Sequence, residues 1–324
     1  MTNSSSSLKV GFIGLGALGQ GLCNSLVRGG FDVTVTDLNR ANADPLVAQG
    51  AQWSDDVAGA CRGADVVITA LPSPAVSRQV VEGPGGVFDN LRADGVWIEM
   101  STTDFEDLQR LHDAAAQRGI RVLECPVTGG VHLANSGEIT VLVGGEQEVY
   151  QRVEPLLQTM GGQIIYMGKL GNASVVKVVT NMLAFIHLVA AAEAMMVPAK
   201  YGVDLDATYR AIRASSGNSF VHETESKLIL SGSYNVKFTM DLACKDLGLV
   251  NGIADKLGVP LELGSMTETI FKRARGLFGG QAQSPEVARM IEQACHLELR
   301  APGYPAELLA EDGAPRPSGT QAKT

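Results

Sequence analysis

Lys9-Val-Gly-Phe-Ile13, Gly14-Leu-Gly16-Ala-Leu-Gly19 and Asp32-Val-Thr-Val-Thr36-Asp37 form the stretch whose reading decides the fold. Lys9–Ile13 reads as a short buried strand. A helix follows Gly19 through about Arg28 and is ended by Gly29-Gly30, and a second strand finishes at Asp37. A lone G-x-G-x-x-G says little. Here it follows a strand, opens a helix and has an acidic residue about 20 positions on, which is the context of a dinucleotide fingerprint. The first glycine allows the tight turn, the second lets a pyrophosphate approach the backbone, and the third lets the helix pack on the strand. The phosphates then sit on the helix N-terminus. Gly14, Gly16, Ala17, Leu18 and Gly19 are therefore expected to hold the cofactor. Asp37 is expected to take the ribose hydroxyls and to repel a 2′-phosphate, favouring NAD over NADP. Arg40, three residues on, is placed to soften that preference, and a solvated turn aspartate is the plainer reading of Asp37.

Outward from this stretch the alternation continues. Ala64–Leu71, stopping at Pro72, and Gly95–Met100, followed by Ser101-Thr102-Thr103, read as strands, as do Ile120–Leu123, Ile139–Val143 and Gln163–Tyr166. Asp104 to Arg118 reads as a helix. The pattern predicts an α/β fold, a Rossmann-type, mostly parallel, doubly wound sheet covered on both faces. Ligands of such sheets lie beyond the carboxyl ends of the strands. That places Leu71, Pro72, Ser101, Thr102 and the Pro126–Gly130 turn on one rim. Ser101 and Thr102 are equally suited to cap the helix beginning near Asp104. After Tyr166 strand signals stop, and the chain to about Leu299 reads as helices. The expected organisation is a disordered lead-in over 1–8, a dinucleotide-binding domain over 9–167, an all-α domain for substrate binding and oligomerisation over 168–300, and a disordered tail over 301–324. Residues 168–200 form the long helix joining the two domains.

Between Lys177 and Glu193 that helix carries only apolar or uncharged residues, on all sides. A helix apolar all round is buried in a large domain or against a partner chain. Thr180, Asn181 and His187 make it too polar and too short for a membrane span of roughly 18 or more apolar residues. Lys177 is then a lone ammonium near the start of a buried helix, with Asn181 one turn further on the same face. Burying a lysine is costly without a reason, which hints at function.

The 324 residues suit two domains, and the composition is that of a globular protein, 45% hydrophobic and 19% charged. A net charge of -9 argues against nucleic acid or an anionic membrane as partner. Cys23, Cys61, Cys125, Cys244 and Cys295 are scattered, odd in number and without a C-x-x-C pair, which reads as reduced thiols in a cytoplasmic protein with no metal site. The start lacks the basic and apolar regions of a signal peptide. His132, His187 and His222 pair with no carboxylate in sequence and read as structural or surface residues.

Four separated motifs resemble those of the β-hydroxyacid dehydrogenases typified by 3-hydroxyisobutyrate dehydrogenase. They are Gly11–Gly19, Glu124-Cys-Pro-Val-Thr-Gly-Gly130, Gly168-x-x-Gly171 followed by Lys177 and Asn181, and Lys245-Asp-Leu247. In order and spacing they cover the chain from Lys9 to about Leu299. The resemblance implies hydride transfer between the hydroxyl-bearing carbon of a 3-hydroxy acid and a nicotinamide. Lys177 would be the general acid/base, with Asn181 positioning base and substrate. Thr128, Gly129 and Gly130 would bind the substrate carboxylate, and Lys245 would hold the acid or orient the cofactor. Ser101 and Thr102 match the pair on the nicotinamide side. A homodimer or homotetramer is expected.

The departures are Leu18 for a usual Met, Thr128 for Ser, Leu133 for Gly, Ala173 for Gly and Thr180 for Asn. They leave the chemistry intact and point to a substrate other than 3-hydroxyisobutyrate. The rivals are a reductase of a semialdehyde such as tartronate semialdehyde, an imine reductase and a non-catalytic nucleotide-binding protein. Imine reductases usually lack a lysine at this position. The non-catalytic reading predicts loss of the base or the glycine turn, and both remain.

Overall fold

The computed structural model describes residues 8–312. The expected lead-in up to Ser7 and the end of the tail from residue 313 lie outside them. The described residues form two compact units that divide between Thr180 and Asn181.

The first unit is built on nine strands: β1 (Lys9–Ile13), β2 (Asp32–Thr36), β3 (Gln52–Trp53), β4 (Val66–Thr69), β5 (Val96–Glu99), β6 (Arg121–Glu124), β7 (Val127–Thr128), β8 (Ile139–Gly145) and β9 (Gly161–Tyr166). Their order is β3-β2-β1-β4-β5-β6-β8-β7, with β9 also paired to β8. All neighbours are parallel except β8, which runs antiparallel to β6 and β7. The chain winds outward from β1 in both directions, so the sheet's switch point lies between β1 and β4, where a doubly wound sheet binds its ligand. Val66–Thr69 and Val96–Glu99 are buried throughout, as expected for strands with helices on both faces. On one face Trp97 packs edge-on against Phe88, with ring centroids 5.4 Å apart. Its indole N–H donates to Thr69 Oγ1 at 2.9 Å, the partner a buried indole needs.

The second unit is helical. Leu205–Arg213, Phe220–Ser231, Met240–Leu257 and Glu262–Phe278 surround a core of Leu188, Met195, Ile229, Leu230, Leu247 and Phe271. Side-chain caps from Asp204, Ser219 and Thr239 satisfy the N-termini of the first three.

Three expectations are corrected. The connecting helix runs Asn172–Tyr201 without a break, and the divide between units falls inside it at Thr180/Asn181, not before it. Its first turns are tied to the sheet, while its later turns supply Leu188, Met195 and Met196 to the helical core. It is not too short, since its 30 residues are long and apolar enough to cross a membrane by length and composition alone, while those three side chains pack into the helical core. In the single chain Leu183, Val197 and Tyr201 are 49%, 73% and 88% exposed, which leaves the partner-chain alternative for covering this helix standing. Finally, the segment 301–312, read as disordered from its Pro and Gly content, is held in place. Ala301 N–H donates to Leu230 O at 3.0 Å, Tyr304 Oη donates to Asp206 at 2.9 Å, and Asp312 pairs with Lys227.

Candidate active site

The nucleotide loop is shaped by three glycines with different duties. Gly14 has φ 95°, and a Cβ there would overlap the Ala70 carbonyl. A Cβ on Gly19 would overlap the Gly14 carbonyl. A Cβ on Gly16 would meet nothing within 4 Å. That opening lies at the N-cap of Ala17–Arg28, a helix with no side-chain cap and no acidic residue in its first turn. Backbone N–H groups and the positive end of the helix dipole are thus left for an anion. Gly16 and Ala17 are exposed and Leu18 is half-buried. These residues fit a dinucleotide pyrophosphate.

Asp37 is more than a solvated turn residue. Its Oδ2 accepts from Leu15 N–H at 2.6 Å, while Oδ1 accepts from Asn39 N–H at 2.8 Å and Asn42 Nδ2 at 3.1 Å. The carboxylate is fixed at the end of β2 beside the glycine loop, the position from which it can take ribose hydroxyls. The Arg40 guanidinium stacks on Trp53, 4.9 Å from the ring centroid.

Along the rim Pro72 is exposed and Leu71 half-buried. Ser101 is buried, and its Oγ accepts from Leu71 N–H at 2.8 Å. Ser101 N–H in turn donates to Glu99 Oε1 at 2.9 Å. Ser101 therefore shapes the Leu71 turn from beneath. The next helix is capped by Asp104, whose side chain accepts from Glu106 and Asp107 N–H. Glu99 was not singled out by sequence. Burial pushes its carboxyl above the ordinary range, against the opposing hydrogen bonds from Ser101 and Ser77.

The Thr128–Gly130 turn follows β6. Thr128 ends β7, and Gly129 and Gly130 have φ 125° and 97°, a backbone region that favours glycine. Leu133 is buried beneath them, 2.9 Å from where a Gly129 Cβ would stand. At the end of β6, Glu124 reaches the start of the connecting helix. Its Oε1 accepts from Gly171 N–H at 2.5 Å and Ala173 N–H at 3.0 Å, and its Oε2 from Ser174 N–H at 3.0 Å and from Ser174 Oγ. Burial pushes the Glu124 carboxyl up, while these four donors pull the other way. Lys177, further along the same turns, is buried at 8% exposure.

In the helical unit Asn181 Nδ2 donates to Asp246 Oδ2 at 2.6 Å. Lys245 Nζ lies 2.9 Å from Asp246 Oδ1. Asp246 is buried at 1% exposure and joins the two candidate residues. A carboxylate only accepts, which fixes the Asn181 amide with its nitrogen toward Asp246. Among the histidines His222 is a core residue, with Nε2 3.0 Å from Tyr209 O and Nδ1 3.1 Å from Ser226 Oγ. Among the described residues no group of three or more His, Cys, Asp or Glu is placed to hold a metal.

Both parts of the chain match known families. Residues 9–168 match the NAD binding domain of 6-phosphogluconate dehydrogenase, and 171–291 the NAD-binding domain of NADP-dependent 3-hydroxyisobutyrate dehydrogenase. The chain is 34% identical to 2-(hydroxymethyl)glutarate dehydrogenase of Eubacterium barkeri over 89% of its length and 96% of the relative's. It is 32% identical to L-threonate dehydrogenase of Escherichia coli K12, over 88% of this chain and 95% of that one. A crystal structure of 3-hydroxyisobutyrate dehydrogenase from Salmonella typhimurium superposes with a TM-score of 0.82 at 29% identity, covering 88% of this chain and all of that one. The chain belongs to the β-hydroxyacid dehydrogenase family and is an NAD(P)-dependent oxidoreductase acting on CH–OH groups.

Proposed function

We propose that the chain transfers hydride between the hydroxyl-bearing carbon of a 3-hydroxy acid and NAD, with Lys177 as the proton acceptor in oxidation and donor in reduction. The observation carrying this reading is the burial of Lys177 on the helix that the glycine turn at Gly168–Gly171 opens. Desolvation disfavours an ammonium, and a neutral amine is what an alcohol O–H needs from its base. The bound nicotinamide supplies the hydride acceptor. Asn181, with its amide oriented by Asp246, positions base and substrate, and Lys245 supplies charge toward the acid or cofactor. Gly129, Gly130 and the Thr128 hydroxyl offer hydrogen bonds to the substrate carboxylate. Thr128 and Leu133 replace smaller residues of the family pattern and narrow that turn, which favours a substrate differing from 3-hydroxyisobutyrate. The relatives named for 2-(hydroxymethyl)glutarate and L-threonate direct the choice of substrates to test. The position of Asp37 favours NAD over NADP, with Leu71, Pro72, Ser101 and Thr102 on the nicotinamide side.

We further infer a cytoplasmic homodimer or homotetramer. The exposed Leu183, Val197 and Tyr201 on the connecting helix support the association, because exposed apolar stripes of this kind mark interfaces. The five free thiols support the compartment.

The test is a spectrophotometric screen with NAD and NADP against 3-hydroxyisobutyrate, 2-(hydroxymethyl)glutarate, L-threonate, glycerate and serine, repeated in reverse with NADH, semialdehydes and imines. Turnover of one hydroxy acid with NAD is the expected result. Activity on imines alone, or cofactor binding without turnover in either direction, would overturn the reading.

A further inference from the structure

The connecting helix begins in an unusual way. N–H groups at its start, those of Gly171, Ala173 and Ser174, are satisfied by a carboxylate from a strand 47 to 50 residues earlier in the chain. Glu124 accepts four hydrogen bonds there, from Gly171, Ala173 and twice from Ser174. The surroundings are cut to fit this contact. Gly144, the register partner of Glu124 on β8, has no room for a side chain, since a Cβ would overlap the Glu124 carboxylate. Gly171 holds φ 95° with the Phe105 ring occupying the space of its missing Cβ. Lys177 lies three residues beyond Ser174, less than one helical turn and about 4.5 Å of axial rise. In the other direction Thr128 lies four residues beyond Glu124.

We propose that Glu124 is a positioning residue for the reaction, fixing the helix start to the end of β6 so that Lys177 and the Thr128–Gly130 turn share one anchor. The proposal rests on the reading of Lys177 as the base. Charged acceptors on backbone N–H groups make short, strong hydrogen bonds, and a helix N-terminus favours a negative charge. Three such bonds and a fourth from the Ser174 hydroxyl hold the first turn against translation and rotation, the two motions that would carry the Lys177 amine away from the hydroxyl. An ordinary cap would stabilise the helix equally well without tying it to the substrate turn.

The test is a double-mutant cycle of Glu124→Gln and Lys177→Ala, assayed with the 3-hydroxy acid of highest turnover, alongside NADH titration and amide exchange of Gly171–Ser174. Misplacement of a reacting group by about 1 Å costs on the order of 100-fold. Glu124→Gln should therefore lower kcat by roughly 10- to 100-fold, leave NADH affinity within about twofold, and speed exchange at those amides. In the Lys177→Ala background it should subtract nothing further, because residues acting as a unit are not additive. Ser174→Ala, which removes one of the four donors, should show a smaller loss with the same non-additivity, and it decides the matter if Glu124→Gln does not fold. A loss of equal size in both backgrounds, or an unchanged kcat in folded Glu124→Gln, overturns the proposal. A Lys177→Ala enzyme as active as the parent would instead sink the base assignment, an outcome distinct from either.

Discussion

Gly16 and Gly19 sit three residues apart in one loop, yet alanine should act on them in opposite ways. At Gly16 the backbone has φ -63° and ψ -177°, which any residue adopts, and a new Cβ meets nothing within 4 Å. Alanine loses some N-cap preference there, but restricts the unfolded chain by about 0.4–1 kcal/mol in favour of folding. The two effects roughly cancel, so stability should change little. Binding should not be spared, because the Cβ projects into the opening over the helix N-terminus that is proposed to admit the pyrophosphate. Losing one charged hydrogen bond costs about 1.5–3 kcal/mol, so NADH affinity should fall about 10- to 200-fold. At Gly19 the Cβ would overlap the Gly14 carbonyl, and such overpacking costs about 1–3 kcal/mol of folding free energy. Urea unfolding of the apoprotein and fluorescence titration with NADH separate the two quantities. A Gly16→Ala variant that binds NADH as tightly as the parent would refute this reasoning, as would a Gly19→Ala variant of parental stability.

Other consequences are as direct. Asp37→Ser removes the carboxylate that is expected to repel a 2′-phosphate and to bind the ribose, so kcat/KM should shift toward NADP by about tenfold or more; an unchanged ratio in steady-state assays would remove Asp37 from cofactor choice. His222 is held below its ordinary value of 6.5 chiefly by burial. The unfolded chain therefore binds more protons as pH falls, and the contribution present above 6.5 is lost as pH drops toward the folded value. His222→Gln should flatten the acid side of the stability profile measured by urea unfolding between neutral and mildly acidic pH. Val197→Asp places a charge on a residue 73% exposed in the isolated chain; sedimentation should show a dimer or tetramer for the parent and a smaller species for the variant. Trp97→Ala should cost about 3–5 kcal/mol, the range for emptying a buried aromatic site, read by chemical denaturation.

The strand–glycine–helix–strand unit from Lys9 to Asp37 was legible because every signal in it is local: an apolar run, glycines at fixed offsets and an acid at a strand end. The same holds for β4, β5, β6, β8 and β9, whose apolar runs stand out between turn residues. Two strands escaped notice, β3 and β7, because each is two residues long and leaves no periodicity to read. The residues that wire the site together were the least legible. Glu124 meets Gly171 across 47 residues, and Asn181 meets Asp246 across 65. No local pattern announces a side-chain pairing at such separations. A weak signal did exist, since Glu99 and Glu124 each follow two buried apolar strand residues, Trp97-Ile98 and Val122-Leu123, where an unpaired charge is expensive. Ser101 follows β5 as read, but its hydroxyl turns inward to Leu71, a matter of rotamer that residue type alone does not fix. The segment 301–312 was misjudged from composition because two anchors, Tyr304 and Asp312, outweigh its Pro and Gly content.

The central claim is that Lys177 moves the proton while hydride passes to the nicotinamide. Its most direct test is a stopped-flow first turnover, following NADH formation by parent and Lys177→Ala enzymes saturated with NAD and the best hydroxy acid. A positioned general base contributes roughly 10²–10⁴-fold, so NADH formation should slow by that factor while NAD affinity and folding stay as in the parent. A first turnover within about tenfold of the parent, a loss too small for a general base, would contradict the account and send the search for the base elsewhere in the site.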